Sequence, residues 1–176
     1  MFTMKLLKTL QACLLTTVLL LVGCEYEIAL SEPMGLPIDN AVLGTWTKLD
    51  KHGEVGRNPD QISIYAFSQG QYLVVDIGSN PLYFRAYPIL INGLDCVQMK
   101  LLVDADELRN PEENTQEKEK LYMVIQYAIE DGNLIVSSLN PELVSRDITS
   151  TEELLEAVNA HADDPDLFGA KETYIR

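Results

Sequence analysis

Between Leu94 and Leu139 the chain alternates apolar and polar residues at a period of two, in runs joined by dipeptides suited to tight hairpins. Val97, Met99, Leu101 and Val103 interleave with Cys96, Gln98 and Lys100. Leu121, Met123, Ile125, Tyr127 and Ile129 repeat the pattern. This period separates side chains onto the two faces of a strand, so the runs read as half-buried strands and not as helices. Asn92-Gly93 and Asp131-Gly132 suit the positive φ that a two-residue turn between twisted strands requires.

Extending the pattern in both directions gives most of a sheet. Val42 to Leu49, Ile62 to Phe67, Tyr72 to Ile77 and Leu82 to Ile91 precede the first alternating run, and Leu134 to Leu139 follows the second. Asp50 to Asp60 is a polar loop, and Ser68 to Gln71 a tight turn. Gly78-Ser79-Asn80-Pro81 turns the chain again. After Leu139 the character changes. Asn140-Pro141 resembles a helix start, with Pro at the first helical position. A second helix is expected from a cap at Ser150 or Thr151, with Glu152 and Glu153 beside the positive end of the dipole. Leu154, Leu155 and Val158 share its apolar face, and Asp163-Asp164-Pro165 ends it. Lys171 to Ile175 can add a last strand.

Seven strands joined mostly by short turns, plus that last one, predict a mostly β chain: an antiparallel up-and-down meander with one or two C-terminal helices. Closure removes the vulnerable edges of such a sheet, so a barrel is the leading architecture and an open curved sheet its alternative.

The N-terminus obeys different rules. Lys5 and Lys8 precede an apolar run from Ala12 to Val22, broken only by Thr16 and Thr17. Roughly 20 apolar residues are needed to span a bilayer, so this run reads as the core of an export signal. Leu21-Val22-Gly23-Cys24 resembles the lipobox of bacterial lipoproteins. The resemblance implies cleavage between Gly23 and Cys24 and diacylglyceryl transfer to the Cys24 sulfur, a better nucleophile than a hydroxyl. Acyl chains such as palmitate, two or more together, would then hold the protein stably on a membrane. In Gram-negative bacteria an Asp after the Cys resembles an inner-membrane retention signal. Glu25 stands there, which implies the outer membrane, facing the periplasm.

Three regions follow: residues 1–23 as signal peptide, 24–40 as lipidated Cys and flexible tether, and 41–176 as the β domain. Pro33, Gly35 and Pro37 among acidic residues prompt the tether reading. Processing leaves 153 of 176 residues, a single-domain length whose core needs no disulfide. Cys13 leaves with the signal and Cys24 takes lipid, so Cys96 has no intramolecular partner and reads as a small apolar residue in a strand.

Charge narrows the partners. Losing Lys5 and Lys8 takes the formal net charge from −14 to −16, which argues against nucleic acid because its phosphates call for a basic patch. Solubility is one use for that charge; attraction to a cationic protein is another.

Gly44-Thr45-Trp46 at the head of the meander resembles the Gly-x-Trp opening of lipocalins. In that family the Trp closes one end of an eight-stranded barrel whose interior holds an apolar ligand. The mature chain resembles the small lipocalin-like lipoproteins of bacteria. An eight-stranded barrel leaves space either for side chains alone or for one small ligand.

Enzyme signatures are missing from the sequence. It carries no Gly-x-Ser-x-Gly elbow, no His-Glu-x-x-His and no Cys pair at zinc spacing. His52 and His161 read as surface residues. Asp104 and Asp106 fit the first two places of an EF-hand calcium loop, but Leu108 breaks the third and Arg109 occupies the Gly place. No catalytic residue, metal ligand or cofactor is therefore expected. The expected function is non-enzymatic binding of a small apolar ligand, with an acidic protein-interaction module (a periplasmic inhibitor or assembly factor) as the alternative.

Overall fold

A computed structural model describes residues 26–78, 81–104 and 121–176. The segment read as a signal peptide, the lipobox-like run with Cys24, and the acidic run from Ala105 to Lys120 lie outside the described residues.

The meander closes. Strands β1 (Gly44–Lys48), β2 (Gln61–Ser68), β3 (Gln71–Asp76), β4 (Leu82–Ile91), β5 (Leu94–Asp104), β6 (Tyr122–Glu130), β7 (Asn133–Ser138) and β8 (Glu172–Ile175) pair in sequence order, and β8 pairs back to β1. Every pairing is antiparallel. The two hairpin dipeptides do what their chemistry predicts. Asn92 and Gly93 have φ of 51° and 78°, and Asp131 and Gly132 have 51° and 80°.

Alternation sorts each strand's side chains between the barrel interior and its outside. Trp46, Ile64, Tyr72, Val74, Phe84, Ala86, Met99, Leu134 and Tyr174 form one buried cluster fed by strands all round the barrel. The Tyr72 and Tyr127 phenols hydrogen-bond each other from β3 and β6, which are not neighbours, so that bond crosses the interior.

A second buried cluster lies outside the barrel wall. Helix α1 (Thr151–Ala160) lays Leu154 and Val158 among Ile89, Ile91, Cys96 and Val124. Ser150 is the cap: its side chain accepts from the Glu153 amide at 3.2 Å. Leu155, expected on the buried face, is 45% exposed, because Leu154 and Val158 are one helical turn apart and Leu155 is rotated about 100° away. The helix ends at Ala160, before Asp163, with His161 as its C-terminal cap.

Two expectations need correction. Asn140-Pro141 starts no helix. Asn140 accepts Leu143 and Val144 amides on its carbonyl and the Glu142 amide on its side chain, while its own side-chain amide donates to Asp166. Those bonds make one local turn that drops Val144 into the outer core, so among the described residues a single α-helix follows the meander. The segment read as a flexible tether is docked on the barrel at residues 26–31 and again at Ile38, with residues 32–35 between them exposed. Tyr26 and Leu30 are 0% and 4% exposed. Tyr26 exchanges backbone hydrogen bonds with Tyr122 at 2.6 and 2.8 Å, and its phenol donates to Val144. Gln98 accepts from the Leu30 and Ser31 amides and donates to Ser31 O and Tyr87 Oη. Further on, Ile38 N donates to Gln69 O. The prolines signalled missing backbone donors, which suits a strap lying on a wall as well as a linker. Tyr26, Ile28, Leu30 and Ile38 are its apolar anchors.

That strap explains a second departure. Cys96 and Gln98 stand at the polar positions of β5, yet both are 0% exposed. The Gln98 amide satisfies backbone groups that the strap would otherwise bury unpaired.

One end of the barrel is sealed by its entry. A short 3-10 turn, Asn40–Val42, crosses that end and leads into β1. Trp46 donates from Nε1 to Val42 O at 2.8 Å. The Arg176 guanidinium lies 4.6 Å from the Trp46 ring centre and donates to Ala41 O and Leu43 O. Trp46→Ala is expected to cost about 3–5 kcal/mol of stability, the usual loss for a buried Trp. Urea unfolding followed by circular dichroism measures it, and a loss below about 1 kcal/mol would show that Trp46 does not hold this end.

Candidate functional site

The candidate site is the other end of the interior. Several inward-facing apolar side chains keep partial access to solvent, among them those nearest the end where β1 finishes. Ile62, Leu82, Leu101, Met123, Ile125 and Val136 all pack against the inner cluster and are only half-buried. Pairing places them together: Ile62 opposite Asp76, Asp76 opposite Leu82, Met99 opposite Met123, and Val97 opposite Ile125. A fully packed barrel would bury such positions. Of these, Leu82, Leu101 and Met123 stand nearest the end where β1 finishes and β6 begins.

The rim at that end is polar on one side. Lys48 and Glu172 form an ion pair at 2.6 Å. The Tyr174 hydroxyl donates to the other Glu172 oxygen at 3.3 Å. Burial pushes the Tyr174 phenol up, and the charge of Glu172 adds to it. Asp76 sits beside them, its carboxyl raised above the ordinary 3.8 by burial and by the charge of Asp60, with Lys48 pulling the other way. At the sealed end, burial likewise raises Tyr72 and Tyr127. These phenols remain neutral donors and acceptors at physiological pH.

Two other hollows lie outside the wall. A cleft of about 450 Å³ is lined by Gln126, Ser137, Asn140, Phe168 and Lys171 among others. Its polar groups are used by the fold, Asn140 bonding Asp166 O and Gly169 N bonding Ser138 O. A hollow of about 70 Å³ between Leu30, Ile91 and Val158 is too small for more than water.

The residues weighed from sequence for chemistry do not converge. His52 sits in the exposed loop after β1, its backbone amide donating to Asp50. His161 caps α1 with Nδ1 4.0 Å from Asp164. Cys96 is buried under the helix, and burial raises its thiol to about 12, which leaves almost no thiolate at neutral pH. Among the described residues no group of three His, Cys, Asp or Glu is placed to hold a metal ion. Cys24 and Gly23 lie outside the described residues, as does the Asp106–Arg109 part of the calcium-loop reading. The inward set at the open end was within reach of the alternation in β5 and β6, which named Leu101, Met123 and Ile125 without showing which end stays open.

Comparison with family models, curated proteins and solved structures finds no match for the chain.

The Asp76 shift has a consequence for stability. Its folded-state pKa is raised, so the folded protein holds that proton more tightly than the unfolded chain does. The resulting penalty is absent below about pH 3.8 and grows as pH rises through the folded pKa. Asp76→Asn is therefore expected to raise Tm at pH 7 by about a degree or two and to change it little at pH 3. Thermal melts at the two pH values decide; a lower Tm at pH 7 would contradict this account of Asp76.

Proposed function

We propose that this protein is a lipid-anchored lipoprotein of the bacterial envelope whose barrel holds a small apolar molecule, and that it is not an enzyme. The observation that carries the reading is the set of half-buried apolar side chains inside the closed barrel, Leu101, Met123, Ile125 and Val136. A closed eight-stranded barrel whose inner apolar side chains are only partly buried is compatible with ligand binding. The resemblance of Gly44-Thr45-Trp46 to the lipocalin opening points the same way. Cys24 serves as the lipid attachment, and the outer membrane facing the periplasm is the compartment if the host is Gram-negative.

A form lacking residues 1–24, examined by native mass spectrometry, tests the ligand directly. Co-purifying lipid, or micromolar binding of an environment-sensitive fluorescent fatty acid, is the expected result. Leu101→Asp should weaken that binding at least tenfold, because a charge would sit on the apolar wall. Binding untouched by Leu101→Asp would move the ligand elsewhere and sink the proposal.

A second reading has one observation behind it. Tyr65 and Phe67 are 53% and 60% exposed on the outer face of β2, beside Leu73 of β3 and Arg85 of β4. Large exposed apolar groups can mark a protein partner, which the −16 charge would favour as cationic. Retention of such a partner at low salt and its loss at high salt would support this reading.

A further inference from the structure

The proposed anchor and the docked strap together fix how the barrel stands on the membrane. This inference rests on lipidation of Cys24, as proposed above, and goes beyond it. One residue separates Cys24 from Tyr26, so their Cα atoms are at most about 7 Å apart however the chain runs. Tyr26 is not free to swing. It is 0% exposed, paired through its backbone to Tyr122, and bonded through its phenol to Val144. The strap beyond it is held by Gln98 at Leu30 and Ser31, by Tyr87 at Ser31, and by Thr151 at Ala29. An acyl-bearing residue this close to a fixed point cannot act as the end of a long leash.

Tyr122 is the first residue of β6, on the accessible end of the barrel. The hairpin at the far end of the same strand begins after Glu130, eight residues on. At about 3.4 Å per residue that hairpin lies some 27 Å further along the strand. We infer that the protein docks on the lipid surface with the open end of its barrel toward the bilayer, and that the end sealed by Trp46 points away. Leu82, Leu101 and Met123, the half-buried inward side chains nearest that end, then face the lipid phase, where an apolar ligand is abundant and from which it would have little water to cross.

The test uses the full, acylated protein in phosphatidylcholine vesicles that contain a rhodamine-headgroup lipid as energy acceptor. A donor dye is placed on a cysteine at Val55→Cys, in the loop at the open end, or at Glu130→Cys, at the sealed end; Cys96 is buried and stays unlabelled. Transfer from position 55 should be at least twofold more efficient than from position 130. Equal or reversed efficiencies would overturn the orientation. Inserting ten Gly/Ser residues between Glu25 and Tyr26 leaves the barrel intact and frees the anchor, so the two efficiencies should converge. A difference that survives the insertion would show that the strap does not set the orientation. The mass of the purified protein separates the premises: an unacylated Cys24 overturns the anchor and this inference together. An acylated protein with equal transfer overturns the orientation alone, and lipid found in the soluble form bears only on the ligand.

Discussion

The barrel depends on its shortest seam. β1 and β8 pair through only two residue positions, Thr47 with Ile175 and Lys48 with Tyr174, whereas β4 and β5 pair along ten. Two backbone pairs are a weak closure, and side chains reinforce it at both ends. On the accessible side Lys48 reaches across to Glu172. On the sealed side Arg176 lies over Trp46 and donates to carbonyls flanking the entry turn, which joins the residue after β8 to the chain before β1. The cation–π contact contributes about 0.5–1 kcal/mol at an exposed guanidinium, and the charge-assisted hydrogen bonds add to it. Closing this seam leaves the sheet without unpaired edges.

Bulk and partial exposure alternate around the interior. Trp46, Tyr72, Phe84 and Leu134 are buried in it, and Ile62 and Leu101, the direct cross-strand partners of Trp46 and Phe84, are half-buried, as are Leu82, Met123, Ile125 and Val136. The outer cluster makes a separate contribution. With α1 and the strap it covers Ile89, Ile91, Cys96 and Val124 on the outer faces of β4, β5 and β6, so a packed wall stands behind one side of the interior. Rigid strands position a binding surface better than loops do.

Local chemistry made much of this fold legible. Period-two alternation in β5 and β6, the two positive-φ dipeptides and the Ser150 cap each need only a few neighbouring residues, and each stands where its pattern put it. What escaped is non-local. Nothing near Gln98 in sequence says that Leu30 and Ser31 will need its amide, because those partners are 67 and 68 residues away. The strap looked like a linker for the same reason: Tyr26 and Leu30 find their partners on β5, β6 and the loop after β7. Asn140-Pro141 misled in the opposite sense, since a good local helix signal yielded to Val144 entering the outer core. The open end was invisible because exposure of an inward side chain depends on what fills the space across from it.

The central claim is that apolar space inside the barrel, and no other surface, receives the ligand. Paramagnetic broadening of methyl NMR signals by a doxyl-labelled fatty acid tests it most directly. The account predicts selective broadening of the Leu101, Met123, Ile125 and Val136 methyls, with Ile89, Leu154 and Val158 under the helix unaffected. Broadening confined to the helix interface or to the outer face around Leu73, with the interior methyls sharp, would contradict it.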